Sequence, residues 1–517
     1  MKRILNILLI NILIFGPLPP AVAADKKAID EERAREIEKA IFMASGAQDR
    51  VLRIGLVDCI AYALKNNSEI LIKRIEPKLK EGDVKIARAD FEPTFSADYT
   101  LADNTKESTS LLYPGISKSR DIDFNVGASG KLITGTEYDI NFLNKRYKSS
   151  VSTQSPNPYY TAEPEITITQ PLFRDFGVLV NTADITIARN NKTQSQEGFR
   201  DAVMDTISKT KVSFYSYMYY LENYAIAQSS LVRAKDLLEV NKARYDKGLA
   251  SSVDLLETET GVAQREKSLI SAESSLKKAE DELKLITNLV DDPQTWNAKL
   301  ELLDDKPQFK EEKVALLESL QNAFLARPDY KSAKIDLKNR DIKIATAKNA
   351  LLPTVDLVTS FGLNGLGKDY QDALEKTDSD YKDWSVGFKV SVPWGGAERA
   401  KSDQRNLEKA QALLAFKRLE QKIILEVRDK VRETDIQARQ VKAAKLNLET
   451  EKKNYAAQKE RYAAGQVSTH DMLDYQDKLS QAELDYVKSL IDYNIALINL
   501  DKSCGLTLVK NDIILEE

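Results

Sequence analysis

A mainly helical chain with a smaller β portion, made of two fused copies of one long helical-hairpin unit, is the fold class this sequence predicts. Three observations carry it. A turn pattern occurs twice, 217 positions apart: Arg244-Tyr245, Gly248, Ser251, Asp254, Leu256, and then Arg461-Tyr462, Gly465, Ser468, Asp471, Leu473. Long segments with apolar residues at three- and four-residue steps flank each copy. Short alternating segments bounded by Pro, Gly and Asn stand before the long segments in both halves. A repeat of this size means one structural unit duplicated and fused.

Along the chain, Lys2-Arg3, the apolar run Ile4 to Phe15 and Ala21-Val22-Ala23-Ala24 read as a secretory signal over 1–24. The run is too short to span a bilayer, which takes ~20 residues. No Cys lies near the expected cleavage point, so no lipid anchor is expected. Residues 25–50 form a charged extension with no functional reading. The first repeat occupies 51–300. Its helices are expected over 52–66 and 69–91, the second stopped at Glu92-Pro93. Strands are expected at 94–100, 121–126, 137–142 and 165–169, with a turn at Lys131 to Thr136 and loops over 104–120 and 148–162. Helix resumes near Asn181 and runs through the Gly248 turn to about Leu289. There Leu269, Ala272, Leu276, Ala279, Leu283, Ile286 and Val290 form a seam in which small and large residues alternate.

An irregular interval with a short pairing segment around 291–307 leads into the second repeat, 301–517. Helices are expected over 314–326 and 329–351, stopped at Leu352-Pro353, and strands over 354–359 and 385–392, joined by a loop over 362–383. The second hairpin runs from 398 to about Cys504 with the seam Leu479, Ala482, Tyr486, Ser489, Tyr493, Ala496 and Leu500. Adding 217 to the first five seam positions from Leu269 lands on the last five of these, so the halves share register. The first half carries one additional hairpin, 121–142.

Composition narrows the function. Net charge is −4 and no basic stripe stands out, so nucleic acid is not an expected partner. The single histidine, His470, reads as an exposed tip residue and gives no basis for metal or acid–base chemistry. No cofactor is called for, and no catalysed reaction is expected. The run Phe214 to Tyr220 reads as helix-packing surface. Cys59 and Cys504 read as buried thiols, with a disulfide open as the alternative in an oxidising compartment. At the turns, Gly248 and Gly465 suit helix C-caps, and Ser251 with Asp254 and Ser468 with Asp471 suit capping boxes. On that reading both Asp residues are structural.

The layout resembles the TolC-like outer-membrane efflux protein family. The resemblance rests on four features: Ala87-Arg88-Ala89-Asp90-Phe91-Glu92-Pro93 with Ala347-Lys348-Asn349-Ala350-Leu351-Leu352-Pro353; Gln170-Pro171-Leu172-Phe173 with its looser partner Val392-Pro393-Trp394; the paired Arg-Tyr-x-x-Gly-x-x-Ser-x-x-Asp turns; and the two-fold repeat. It implies a homotrimer in which each copy gives helices to a periplasmic α-barrel and strands to one shared outer-membrane β-barrel. The additional hairpin either raises the strand count or sits outside the wall.

The function so implied is an exit duct through the outer membrane, contacting lipid there and extending into the periplasm. A periplasmic adaptor protein and an inner-membrane pump of RND, MFS or ABC type would complete the system. The resemblance aligns Asp471 and Asp474 with an acidic ring at a periplasmic gate, Asp254 with a carboxylate of the gating network, and Tyr462 with a gate tyrosine. Val467 stands where some members place a bridging Arg. The adaptor would grip the tips at Arg244, Gly248, Leu249, Ser251, Arg461, Gly465, Val467 and Ser468. A type I protein-secretion duct and a non-conducting periplasmic coiled-coil protein remain the alternatives.

Overall fold

The computed structural model describes residues 51–515 except 109–114, 151–154, 291–292, 305 and 379. The signal and the charged extension lie outside the described residues. In chain order the elements are β1 (Val51–Ile54), α1 (Leu56–Asn66), α2 (Ser68–Ala89), β2 (Thr94–Ser108), β3 (Gly115–Lys131), β4 (Glu137–Ser149), β5 (Tyr159–Pro171), α3 (Val178–Asn181), α4 (Ala183–Asp246) and α5 (Ser252–Ile286). There follow α6 (Pro293–Trp296), β6 (Lys299–Leu302), α7 (Leu316–Ala326), α8 (Pro328–Asn349), β7 (Thr354–Leu363), β8 (Gly365–Gly367), α9 (Tyr370–Glu375), β9 (Lys382–Ser391), α10 (Ala397–Ala463), α11 (Thr469–Ser503) and α12 (Thr507–Lys510).

Two compact units result, and each draws on both repeats. The first joins the described residues up to Ser68 to Asp205–Lys313 and Arg432–Asn499. Its core gathers Phe214, Tyr217 and Met218 of α4, Ala279 and Leu283 of α5, and Val487 and Ile491 of α11 around Ile54, Cys59 and Leu300. The sequence seams are the buried faces of α5 and α11: Ala272, Ala279, Leu283, Leu479, Ala482, Tyr493 and Ala496 are all buried. Small residues let the helices approach and large ones fill the gaps. Residues 52–54, expected as the start of a helix, instead belong to β1, which pairs in parallel with β6, Val51 opposite Lys299 and Ile54 opposite Leu302. The reason is non-local: the partner lies almost 250 positions away. Helix α1 then starts after Gly55, whose N–H donates to the Asp58 carboxylate at 3.0 Å.

The second unit joins Glu69–Met204, Val314–Val431 and the residues from Leu500 onward. A helical core holds Ala323, Tyr330, Ile423, Val427, Leu500 and Cys504. Beside it Arg327 donates to Asp329, to Glu426 and to the Ser503 carbonyl. Its sheet runs in the order β2-β3-β4-β5-β7-β9, antiparallel throughout, with β8 pairing β5 off this path. The Lys131 to Thr136 turn forms as expected, Leu132 N–H donating to the Thr136 carbonyl at 2.7 Å, with Gly135 at φ +96°. The strands continue well into the stretches expected as loops, β2 to Ser108, β3 from Gly115, β4 to Ser149 and β5 from Tyr159. There polar residues pair across strands, as Asp103 does with Arg120 at 2.6 Å. Mostly polar residues in the extensions of β2, β3 and β4 leave no alternation to read, while the start of β5, Tyr159 to Ala162, follows directly on Pro156 and Pro158. The expected loop 362–383 holds β8 and α9, the latter capped by Asp369, whose carboxylate accepts from Asp372 N–H at 2.9 Å. The two cysteines are unpaired and buried, Cys59 in the first unit's core and Cys504 in the second's.

Candidate functional site

Both copies of the turn pattern fold the same way. After α4, Gly248 takes φ +73°, its N–H donates to the Tyr245 carbonyl and Leu249 N–H donates to the Arg244 carbonyl, each at 2.8 Å. After α10, Gly465 takes φ +74°, donating to Tyr462 at 3.0 Å, and Gln466 N–H donates to Arg461 at 2.9 Å. This is the Schellman closure, in which a left-handed residue lets two N–H groups cap the last helix carbonyls. Nothing lies within 4 Å of a Cβ added at either glycine, so backbone strain alone opposes substitution. Gly465→Ala is expected to cost about 1–2 kcal/mol. Hydrogen exchange of the amides of 461–472 would then rise severalfold, and an unchanged pattern would contradict the cap.

The next helices restart at once. Ser251 accepts from Asp254 N–H at 3.1 Å while its own N–H and hydroxyl donate to the Asp254 carboxylate at 2.9 and 2.7 Å. Ser468 accepts from Asp471 N–H at 3.1 Å and its hydroxyl donates to the Asp471 carboxylate at 2.6 Å. These serine hydrogen bonds hold both carboxyls below the usual range. A depressed folded value places the stabilisation above the ordinary carboxylate pKa and removes it as pH falls through the folded value. Tip amides are therefore expected to lose exchange protection as pH falls below the ordinary carboxylate pKa of about 4, a loss that alanine at Asp254 and Asp471 together would abolish.

Identical turns sit in unlike surroundings. Tyr245 is 45% exposed, whereas its counterpart Tyr462 is 5% exposed among Leu237, Val467 and Met472. The Tyr462 hydroxyl donates to the buried Asn241 and lies 3.2 Å from the Thr469 hydroxyl. The Arg244 guanidinium sits 5.0 Å from its ring centroid and donates to its carbonyl at 3.4 Å. Val467 thus faces the same small core, while Arg461, Ser468, Gly248, Leu249 and Ser251 are exposed. Asp471 is held in its cap, and Asp474 pairs with Lys478 one turn on at 2.7 Å.

A groove of about 410 Å³ opens between α5 and α11 next to these turns, lined by Leu256, Glu257, Gly261, His470, Leu473 and Asp474. At its base Arg265, 7% exposed, donates to Asp477 at 2.6 Å, to the Gly261 carbonyl at 3.0 Å and to the Leu473 carbonyl at 3.4 Å. A Cβ at Gly261 would stand 3.0 Å from Leu473, so glycine sets the close approach of the helices here. Sequence reasoning missed Arg265, Asp477, Asn241 and Lys478. The i,i+4 spacing could have revealed Lys478; the others have no counterpart of the same type 217 positions away.

No helix among the described residues is long and apolar enough to cross a membrane, and no group of side chains there could hold a metal ion. A family model described as outer membrane efflux protein matches residues 139–289 and 319–506, one stretch in each repeat. The outer membrane protein OprJ of Pseudomonas aeruginosa is 24% identical over 60% of this chain, which spans 63% of that relative's length. The probable outer membrane lipoprotein SilC of Salmonella typhimurium is 21% identical over 86% of this chain and 84% of its own. Among solved structures, the Campylobacter jejuni CmeC outer membrane channel superposes with a TM-score of 0.63 at 15% identity, over 87% of this chain and 86% of that one. With both matched stretches together covering about two thirds of its length, the chain belongs to the outer membrane efflux protein family.

Proposed function

We propose that this chain is a passive exit duct of the outer membrane, working as a homotrimer with a periplasmic adaptor and an inner-membrane pump. The observation that carries the reading is the sheet: among the described residues the outer edges of β2 and β9 have no neighbouring strand, and one face carries a band of exposed apolar side chains. An open edge is untenable in lipid, so such a sheet spans a membrane only by closing with other copies. Single copies give six path strands, fewer than the ~8 of the smallest barrels. On this reading the hairpin tips are the periplasmic mouth. Tyr245, Leu249 and Val253 stand exposed there, suited to gripping by an adaptor.

Asp471 and Asp474 would gather near the three-fold axis as a ring of carboxylates that attracts cations and narrows the mouth. Tyr462 and Asp254 would hold the closed arrangement through the Asn241–Thr469 network and the cap. Opening would then be a shift of the segment Gly465 to Asp474 between two arrangements. Asp471→Ala combined with Asp474→Ala is expected to raise single-channel conductance severalfold in planar bilayers and to weaken block by multivalent cations. Unchanged conductance and block would remove these residues from the gate. Failure of the purified protein to run as a heat-sensitive trimer in SDS would remove the duct itself.

A further inference from the structure

The additional hairpin of the first repeat, β3 with β4, lies inside the sheet path between β2 and β5. Its register keeps the frame of the sheet, with the β3–β4 ladder broken only where Phe124–Asn125 lie opposite Leu143–Asn144 and Asn144 N–H donates to the Asn125 side chain instead. Tyr99 faces Phe124 across β2 and β3, and Val126 faces Phe142 across β3 and β4. One row then runs Ala128, Ile140, Ile166, Phe361 and Trp384 over five strands. These are side chains of one face, since every pair is a direct cross-strand neighbour. Phe95, Tyr99, Phe124, Ile140, Phe361 and Trp384 on that face are all exposed in the single chain. The opposite face carries Asp98, Asp121, Asp123, Glu137, Asp139, Glu165 and Asp356, against Lys106, Lys131, Lys145 and Lys389.

A hairpin lying outside a barrel wall has no reason to keep an apolar face in row with its neighbours. One within the wall must, because every outward residue meets lipid. The count is also consistent. Two inserted strands preserve direction on both sides, so the edges β2 and β9 still run oppositely and can pair antiparallel between copies.

We propose that β2 of one copy pairs with β9 of the next and that three copies close an eighteen-stranded wall, with all six path strands of each in it. This rests on the trimeric-duct reading above. At a strand spacing of ~4.8 Å and a tilt of ~40°, eighteen strands give a wall of about 18 Å radius, against about 12 Å for twelve. A bore of the wider kind is water-filled like that of 16–18-stranded porins. Its lining carries more carboxylates than cations, so it favours cationic and neutral cargo over anionic, at widths a twelve-stranded wall would refuse.

Electron cryo-microscopy of the full-length protein in lipid nanodiscs tests this directly. Three copies around a wall of eighteen strands is the expected result. Three copies around a twelve-stranded wall, with residues 115–149 outside it, would overturn this inference and leave the duct standing. Any assembly without three-fold symmetry would overturn both.

Discussion

Tyr217→Ala is expected to destabilise the first unit by about 3–5 kcal/mol, the range for emptying a large aromatic site in a packed core. Tyr217 is 1% exposed, and its ring meets a core built from helices of both repeats and the β1–β6 pair. Burial pushes its hydroxyl far above the usual phenol range, so it remains a donor. That donor satisfies the Leu300 carbonyl at 2.8 Å. Two losses therefore add: the ring volume and the bond. Tyr217→Phe separates them, since it keeps the ring and is expected to cost about 1 kcal/mol. Thermal unfolding of the purified protein should fall by roughly 10 °C for the alanine variant and by a few degrees for phenylalanine. Equal shifts would mean that packing contributes nothing beyond the hydrogen bond.

The same core marks what a sequence can and cannot reveal. The helical seams were legible because Ala272, Ala279, Leu283, Ala482 and Tyr493 recur at helical spacing, and burial follows spacing. The turns were legible because glycine at a left-handed position and serine with aspartate three residues on are local chemistry. The β1–β6 pair was not, because four-residue strands far apart in the chain carry no local signal of partnership. Strand ends were missed where alternation gives way to polar residues on both faces. At the tips the repeat placed Tyr245 and Tyr462 on equal footing. The resemblance singled out Tyr462 alone, and the fold adds how their surroundings differ: the Tyr462 hydroxyl donates to Asn241, whose counterpart in the second repeat is Gln458. The resemblance implied the family, and the fold added the ion pair below the tip groove.

That ion pair yields the second large effect, and its sign depends on which partner is removed. Arg265 is buried, and burial pulls its guanidinium below its ordinary pKa even with Asp477 beside it. Its Nε has no hydrogen-bond partner. The Asp477 side chain is 62% exposed and keeps water if its partner goes. Removing the arginine therefore relieves a desolvated charge, whereas removing the aspartate strands one. Asp477→Ala is expected to destabilise the α5–α11 contact by about 3 kcal/mol, the low end for an orphaned buried charge because water reaches one side. Arg265→Met, which keeps the stem packed against Leu473, is expected to stay within about 1 kcal/mol of the wild type. Hydrogen exchange over 253–265 and 469–477 reads both, and Arg265→Met introduced into Asp477→Ala should restore most of the lost protection. If the arginine variant proved the more damaging of the two, the pair would be a net stabiliser of the tip, and the view of Arg265 as a tolerated buried charge would be wrong.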